Sequence, residues 1–136
     1  MNRIAGLIDR ADRNTGLLAA LAGVGLAVVA VALYGGETRF YDEREYARFA
    51  SVLVESGTYG RAPDRPTAFR PPGYVFAIAP AFAAGGGVVA VQAAQALLFG
   101  LSAWIAGRIA RRFYGPGAGV AALVLACIYP VFAFTA

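Results

Sequence analysis

The chain has 136 residues, of which 59% are hydrophobic and only 15% are charged, an apolar share above the roughly half expected of a soluble domain. Its net charge of +4 comes from arginine alone, and the arginines lie at the ends of apolar segments, which is typical of membrane orientation and not of nucleic-acid binding. The lack of histidine and the single cysteine, Cys127, exclude a histidine-based site, an intrachain disulfide and a thiolate metal cluster. The composition predicts an integral membrane protein whose acid–base or metal chemistry uses carboxylates.

The amino-terminal part of the chain predicts a cytoplasmic segment followed by a membrane span. Residues 1–14 carry three arginines, and residues 15–34 contain no charge. About 20 apolar residues in a helix span roughly 30 Å of hydrocarbon, so residues 15–34 are predicted to form transmembrane helix 1. The arginines then place the amino terminus in the cytoplasm. Ala30-Val31-Ala32 also fits a signal-peptidase site, but the long apolar core favours an uncleaved anchor over a cleaved signal.

Residues 35–71 are predicted to form an external loop, because they are charged and follow the first span. All acidic residues except Asp9 and Asp12 lie in this segment. Apolar residues at helical spacing over residues 43–56 predict an amphipathic juxtamembrane helix along the membrane surface. Gly57 is well placed to end that helix, and the prolines that follow predict an extended segment.

The remaining apolar sequence predicts three further spans. Residues 71–107 contain no charge, and one straight helix of that length, about 55 Å, is too long for a single crossing. A turn at Gly85-Gly86-Gly87 divides the segment into spans over 72–86 and 88–110, and residues 117–136 follow as a span that the chain end truncates. The sequence thus favours an all-α membrane fold with four transmembrane helices.

The arginines at residues 108–112 conflict with that count. With four spans they lie outside, against the positive-inside rule. If the segment 72–86 is only interfacial, they lie inside and the spans number three. Four spans remain the preferred count, because the backbone N–H and C=O groups of an apolar non-helical segment would lack hydrogen-bond partners within a membrane.

Two adjacent carboxylates, Asp42 and Glu43, stand at the head of the predicted juxtamembrane helix. Carboxylates at the boundary of water and lipid can deprotonate an acceptor hydroxyl or bind a divalent cation. Arginines of the same loop can hold the phosphate of a lipid carrier. A helix cap and solvated surface charges would explain the same residues without chemistry, and residue types alone leave both interpretations open.

Several short motifs follow one another along the chain. They are Asp42-Glu43, Tyr46-Ala47, Gly57-Thr58-Tyr59-Gly60, Arg70-Pro71-Pro72-Gly73-Tyr74, Gln92, Gln95, Arg111-Arg112-Phe113-Tyr114-Gly115 and Tyr129-Pro130. In this order, over about residues 15–136, they resemble the amino-terminal quarter of a GT-C glycosyltransferase. That superfamily includes the protein O-mannosyltransferases and the aminoarabinose transferases that modify lipid A.

The resemblance implies that the first external loop is catalytic and that a polyprenyl-phosphate sugar is the donor. Asp42 would then be the base that activates the acceptor hydroxyl, with Glu43 as its partner. Arg70 is the preferred ligand of the donor phosphate, and Arg61 and Arg65 are further candidates, although each arginine also fits a headgroup-facing anchor. The resemblance further implies a bacterial inner membrane and leaves open a divalent cation, the sugar and the acceptor.

The length of the chain departs from the family, whose members have many more spans. The 136 residues are therefore expected to be an amino-terminal fragment, a truncated reading frame or half of a split enzyme, inactive alone. The alternative function is a small non-catalytic membrane subunit or assembly factor. Its external loop would bind a partner protein or lipid headgroups.

Overall fold

The computed structural model describes residues 14–128 and contains helices joined by short turns and one β-hairpin. The elements are α1 (Thr15–Tyr34), α2 (Tyr41–Ser56), β1 (Gly60–Ala62), β2 (Arg65–Pro66), α3 (Pro72–Ala83), α4 (Gly87–Tyr114) and α5 (Pro116–Ile128). The prediction of a helical protein is confirmed, with the correction that the charged loop also contains a small antiparallel sheet. The predictions for residues 1–13 and 129–136, including the end of the last span and Tyr129-Pro130, lie outside the described residues.

The predicted count of four transmembrane helices is not supported. Among the described residues, one helix, α4, is long and apolar enough to cross a membrane. α3 is a shorter apolar helix, and its 12 residues rise about 18 Å, well under the roughly 30 Å of a hydrocarbon core. The helix stops at Ala83, short of the predicted residue 86, because Gly85 adopts a left-handed φ of 77° and turns the chain.

The chain divides into two compact units, Met1–Val29 with Ala93–Ala136, and Ala30–Gln92. Within the first unit, Ala19, Ala103 and Leu123 are buried together. A Cβ atom added at Gly107 would lie 3.2 Å from the carbonyl oxygen of Gly119. Small residues therefore allow close helix packing in this unit, as is usual for membrane helices.

The second unit is built on the apolar face of α2. Phe49 and Ala50 of α2 are buried against Val75 and Ile78 of α3 and against Val91 near the start of α4. Helical spacing predicted this apolar face, which packs inside the protein. That the helix lies along the membrane surface stays a prediction. The prediction for the end of the helix is confirmed: Gly57 adopts a φ of 71° there.

The β-hairpin directly follows α2 and returns the loop toward it. Its strands pair antiparallel, with Gly60 opposite Pro66 and Ala62 opposite Arg65. A side chain at Gly60 would overlap the carbonyl oxygen of Arg65, so glycine permits the close approach of the two strands. The Thr58 hydroxyl donates a hydrogen bond to the carbonyl oxygen of Pro63 at 3.0 Å and fixes the turn.

Candidate functional site

A polar face of α2 holds the hairpin and the segment after it. Asp42, Glu45 and Arg48 follow one another at intervals of three residues, so they lie along one side of the helix. Asp42 binds Arg70, and Glu45 binds Arg61. The Nε–H of Arg48 donates to the carbonyl oxygen of Arg61 at 2.8 Å. Side chains from one helix thus fix a segment that lies up to 28 residues away in sequence.

The Asp42–Arg70 pair joins the head of α2 to the entry of α3. Arg70 Nη2 donates to Asp42 Oδ1 at 2.5 Å. The Asp42 side chain is 65% exposed, whereas that of Arg70 is only 17% exposed. A carboxylate that faces water is therefore held next to a guanidinium that the protein encloses.

Aromatic rings and a backbone hydrogen bond fix the position of Arg70. Its Cζ atom lies 5.3 Å from the ring centroid of Tyr46 and 5.3 Å from that of Phe69, within the range of cation–π attraction. The Tyr59 hydroxyl donates to the carbonyl oxygen of Arg70 at 2.8 Å. Arg70 Nε is buried and has no hydrogen-bond partner among the described residues. The guanidinium is thus pre-positioned, and one of its N–H groups stays unused.

The electrostatic surroundings keep Arg70 charged and Tyr59 neutral. Desolvation lowers the pKa of Arg70, but the hydrogen bond and the negative charge of Asp42 more than offset it, so the pKa lies above its ordinary value. Burial, with a smaller effect of Tyr46, raises the pKa of Tyr59 above its ordinary value. The Tyr59 hydroxyl therefore keeps its proton and remains a donor to the Arg70 backbone.

Glu43 completes the capping box at the amino-terminal end of α2, where Phe40 is the N-cap residue. Its Oε2 atom accepts hydrogen bonds from the backbone N–H of Arg39 at 2.6 Å and of Phe40 at 3.2 Å. This geometry satisfies backbone donors at a helix start. Asp42 and Glu43 are adjacent in sequence but bind different partners. The role of Glu43 as a catalytic partner of Asp42 stays a prediction.

The Glu45–Arg61 pair is the functional-site feature that the sequence analysis missed. Glu45 as a whole residue is 8% exposed. Its Oε2 atom accepts hydrogen bonds from Arg61 Nε at 2.9 Å and from Arg61 Nη2 at 2.7 Å. Arg61 Cζ also lies 5.0 Å from the ring centroid of Phe69. The sequence shows that Glu45 lies three residues after Asp42 and therefore on the same side of α2. It does not show that Arg61 is the partner of Glu45, because the hairpin brings Arg61 to that side.

An open groove of about 600 Å³ runs along the hairpin. Its lining residues are Arg48, Arg61, Ala62, Asp64, Arg65, Pro66 and Thr67. The three predicted phosphate ligands are therefore not equivalent. Arg70 contacts Asp42, whereas Arg61 and Arg65 line the groove. In the part of the chain that the structure describes, no group of three or more His, Cys, Asp or Glu side chains is placed to hold a metal ion.

Fold and site together define a mostly helical protein with an arginine-rich loop, and within residues 14–128 one helix is long and apolar enough to cross a membrane. No family model, curated protein or solved structure matches this chain. The likeness to GT-C glycosyltransferases therefore depends on the sequence motifs alone.

Proposed function

We propose that this chain supplies the first external loop of a membrane glycosyltransferase, which moves a sugar from a polyprenyl-phosphate donor to a lipid, glycan or protein hydroxyl. The proposal includes a cytoplasmic amino terminus and an external loop over residues 35–71 at a bacterial inner membrane. The observation that supports it best is the Asp42–Arg70 contact of 2.5 Å. The resemblance to GT-C glycosyltransferases had implied these two residues separately, as base and as phosphate ligand.

The contact suits the chemistry of transfer from a lipid phosphate. Asp42 accepts the proton of the acceptor hydroxyl while the hydroxyl oxygen attacks the anomeric carbon. The bond between that carbon and the phosphate oxygen breaks, and Arg70 offsets the negative charge of the departing carrier phosphate. Exposure of Asp42 gives the acceptor access, and enclosure of Arg70 by two rings reduces the cost of positioning the guanidinium.

The second candidate is the small non-catalytic subunit whose loop binds a partner or lipid headgroups. The ion pairs of Asp42 and Glu45 favour it, because both hold the loop in a fixed shape. In that case Asp42 is a structural residue. Its loss would then loosen the loop and would not affect any transfer step directly.

The test of the proposed function is sugar transfer in membranes from cells that make the full reading frame, supplied with labelled polyprenyl-phosphate sugar. We expect Asp42→Asn to lower transfer at least about 100-fold, the usual effect of removing a general base. Asn keeps an oxygen that accepts from Arg70, so the loop is retained. Glu55→Gln is the matched control, since Glu55 is an exposed carboxylate of the same helix, and it should transfer within about twofold of the wild type.

Hydrogen exchange of the loop separates catalysis from structure. Loss of transfer by Asp42→Asn with unchanged amide protection over residues 57–70 supports the base assignment. Wild-type transfer by this variant would refute it. Equal loss of transfer and of protection would assign Asp42 to the loop structure, whereas absence of transfer by the wild type would favour the second candidate.

A further inference from the structure

The groove along the hairpin is a second cationic feature, separate from the Asp42–Arg70 pair. Arg48 comes from α2, while Arg61 and Arg65 come from the two strands, so three guanidinium groups from three elements line one groove. Asp64 is the one acidic residue of the lining. The groove therefore carries a positive charge that no single sequence motif contains.

Two of the three arginines are held in place by the protein. Arg48 is anchored through its Nε–H on the carbonyl oxygen of Arg61, which leaves its two terminal amino groups for other partners. Arg61 is fixed by Glu45 at 2.7 Å and by the Phe69 ring. Among the described residues, neither Arg48 nor Arg65 forms an ion pair. Arg48 and Arg61 are therefore partly ordered before any ligand arrives, whereas Arg65 is an exposed side chain.

We propose that this groove binds a phosphate group, with Arg48 and Arg65 as its ligands and Arg61 as a supporting cation. Guanidinium groups suit phosphate because their planar donors match its oxygens in pairs. The phosphate could belong to a lipid headgroup or to a free phosphate compound, and both present the same chemistry to the groove. The inference does not depend on glycosyl transfer, since Asp42 and Arg70 are not part of the groove lining.

The experiment measures binding by calorimetry to the purified full chain in a maltoside detergent, at fixed ionic strength. The probes are dihexanoyl phosphatidylglycerol, a short lipid with a phosphodiester headgroup, and inorganic pyrophosphate. We expect Arg48→Gln and Arg65→Gln each to weaken binding about tenfold, the effect of losing a charged hydrogen bond. Arg44→Gln removes the same charge from an exposed site of α2 outside the groove, and its affinity should stay within about twofold of wild type.

Asp64→Asn provides a test that misfolding cannot imitate. Removing the acidic residue of the groove should tighten binding about threefold, because a like charge near the ligand is lost. A chain that fails to fold cannot bind more tightly. Unchanged or weaker binding by Asp64→Asn would therefore overturn the proposal.

The remaining outcomes are equally decisive. Binding of the lipid probe alone would assign the site to a headgroup phosphate. Comparable binding of pyrophosphate would assign it to a free phosphate. Either result supports the proposal that the groove binds phosphate. Equal weakening by Arg44→Gln and the two groove variants would show attraction to overall charge and would overturn the proposal. So would the absence of saturable binding of both probes to the wild type.

Discussion

At the scale of single residues, the ion pairs Asp42–Arg70 and Glu45–Arg61 differ in exposure and therefore in how much each contributes to the stability of the fold. The Asp42 carboxylate is largely exposed, and exposed pairs contribute about 0–1 kcal/mol. The Glu45 side chain is only 10% exposed and accepts two N–H groups of Arg61. The Glu45–Arg61 pair, which the sequence did not reveal, is thus the stronger structural contact, while Asp42 of the other pair is exposed to solvent.

Glu45→Gln should loosen the hairpin. The change removes the counter-charge of Arg61, whose side chain is 42% exposed, so water compensates part of the loss. We expect a cost of about 1–2 kcal/mol, below that of breaking a fully buried pair. Hydrogen exchange should report it as an amide protection over residues 57–67 that is about tenfold lower.

Glu55→Gln, an exposed position of the same helix, is the control for loss of one negative charge. Arg61→Gln in the Glu45→Gln background should cause little further loss, because the ion pair is already absent. If Glu45→Gln leaves the protection at its wild-type level, the packing of Phe49 against Tyr59, with ring centroids 5.3 Å apart, holds the hairpin without the ion pair.

At the scale of elements, the features that could be predicted from the sequence are those that depend on local periodicity and on the position of a glycine. The apolar face of α2 and its end at Gly57 follow from helical spacing and from a left-handed backbone position. The hairpin could not be predicted, because its strands have three and two residues and one contains Pro66. Asp42 and Arg70 were each predicted as site residues, and their contact depends on the return of the chain through that hairpin.

Gly60→Ala should open the hairpin. Its Cβ atom would overlap the carbonyl oxygen of Arg65 and lie 3.1 Å from Pro66 Cα, so the strands must separate. We expect a loss of about 1–3 kcal/mol, typical of forcing atoms into a packed site. Chemical denaturation in detergent measures the free energy of unfolding, and hydrogen exchange locates the loss.

Gly73→Ala is the matched control for Gly60→Ala. A Cβ atom at Gly73, in the first turn of α3, meets nothing within 4 Å. Alanine should therefore be neutral or raise stability by about 0.5–1 kcal/mol. Equal stability of the two variants would mean that the close strand approach at Gly60 contributes nothing to the loop.

At the scale of the whole molecule, helix lengths bear on the topology that the sequence left in conflict. α4 has 28 residues and rises about 42 Å, enough to cross a membrane. α3 is too short to do so. If residues 15–34 cross as the sequence predicts, α4 returns the chain to the side of the amino terminus, and the arginines at residues 108–112 then satisfy the positive-inside rule.

Cysteine accessibility tests this topology directly. Cys127→Ser removes the one native thiol, and Glu55→Cys or Tyr114→Cys then supplies a single reporter in the loop or at the end of α4. Both positions are exposed, Tyr114 at 84%. In intact cells, a membrane-impermeant maleimide should label the Glu55→Cys variant. It should label the Tyr114→Cys variant only after the cells are permeabilised.

The two reporters separate three arrangements, and only some of them are compatible with the proposed function. Labelling of both variants in intact cells would mean that α3 crosses the membrane after all, which would restore four spans and leave Asp42 outside. Labelling of the Tyr114→Cys variant alone would mean that the protein has the opposite orientation in the membrane. Asp42 would then face the cytoplasm, and an external glycosyltransferase loop would be ruled out, whereas the phosphate groove would remain open to headgroups of the inner leaflet.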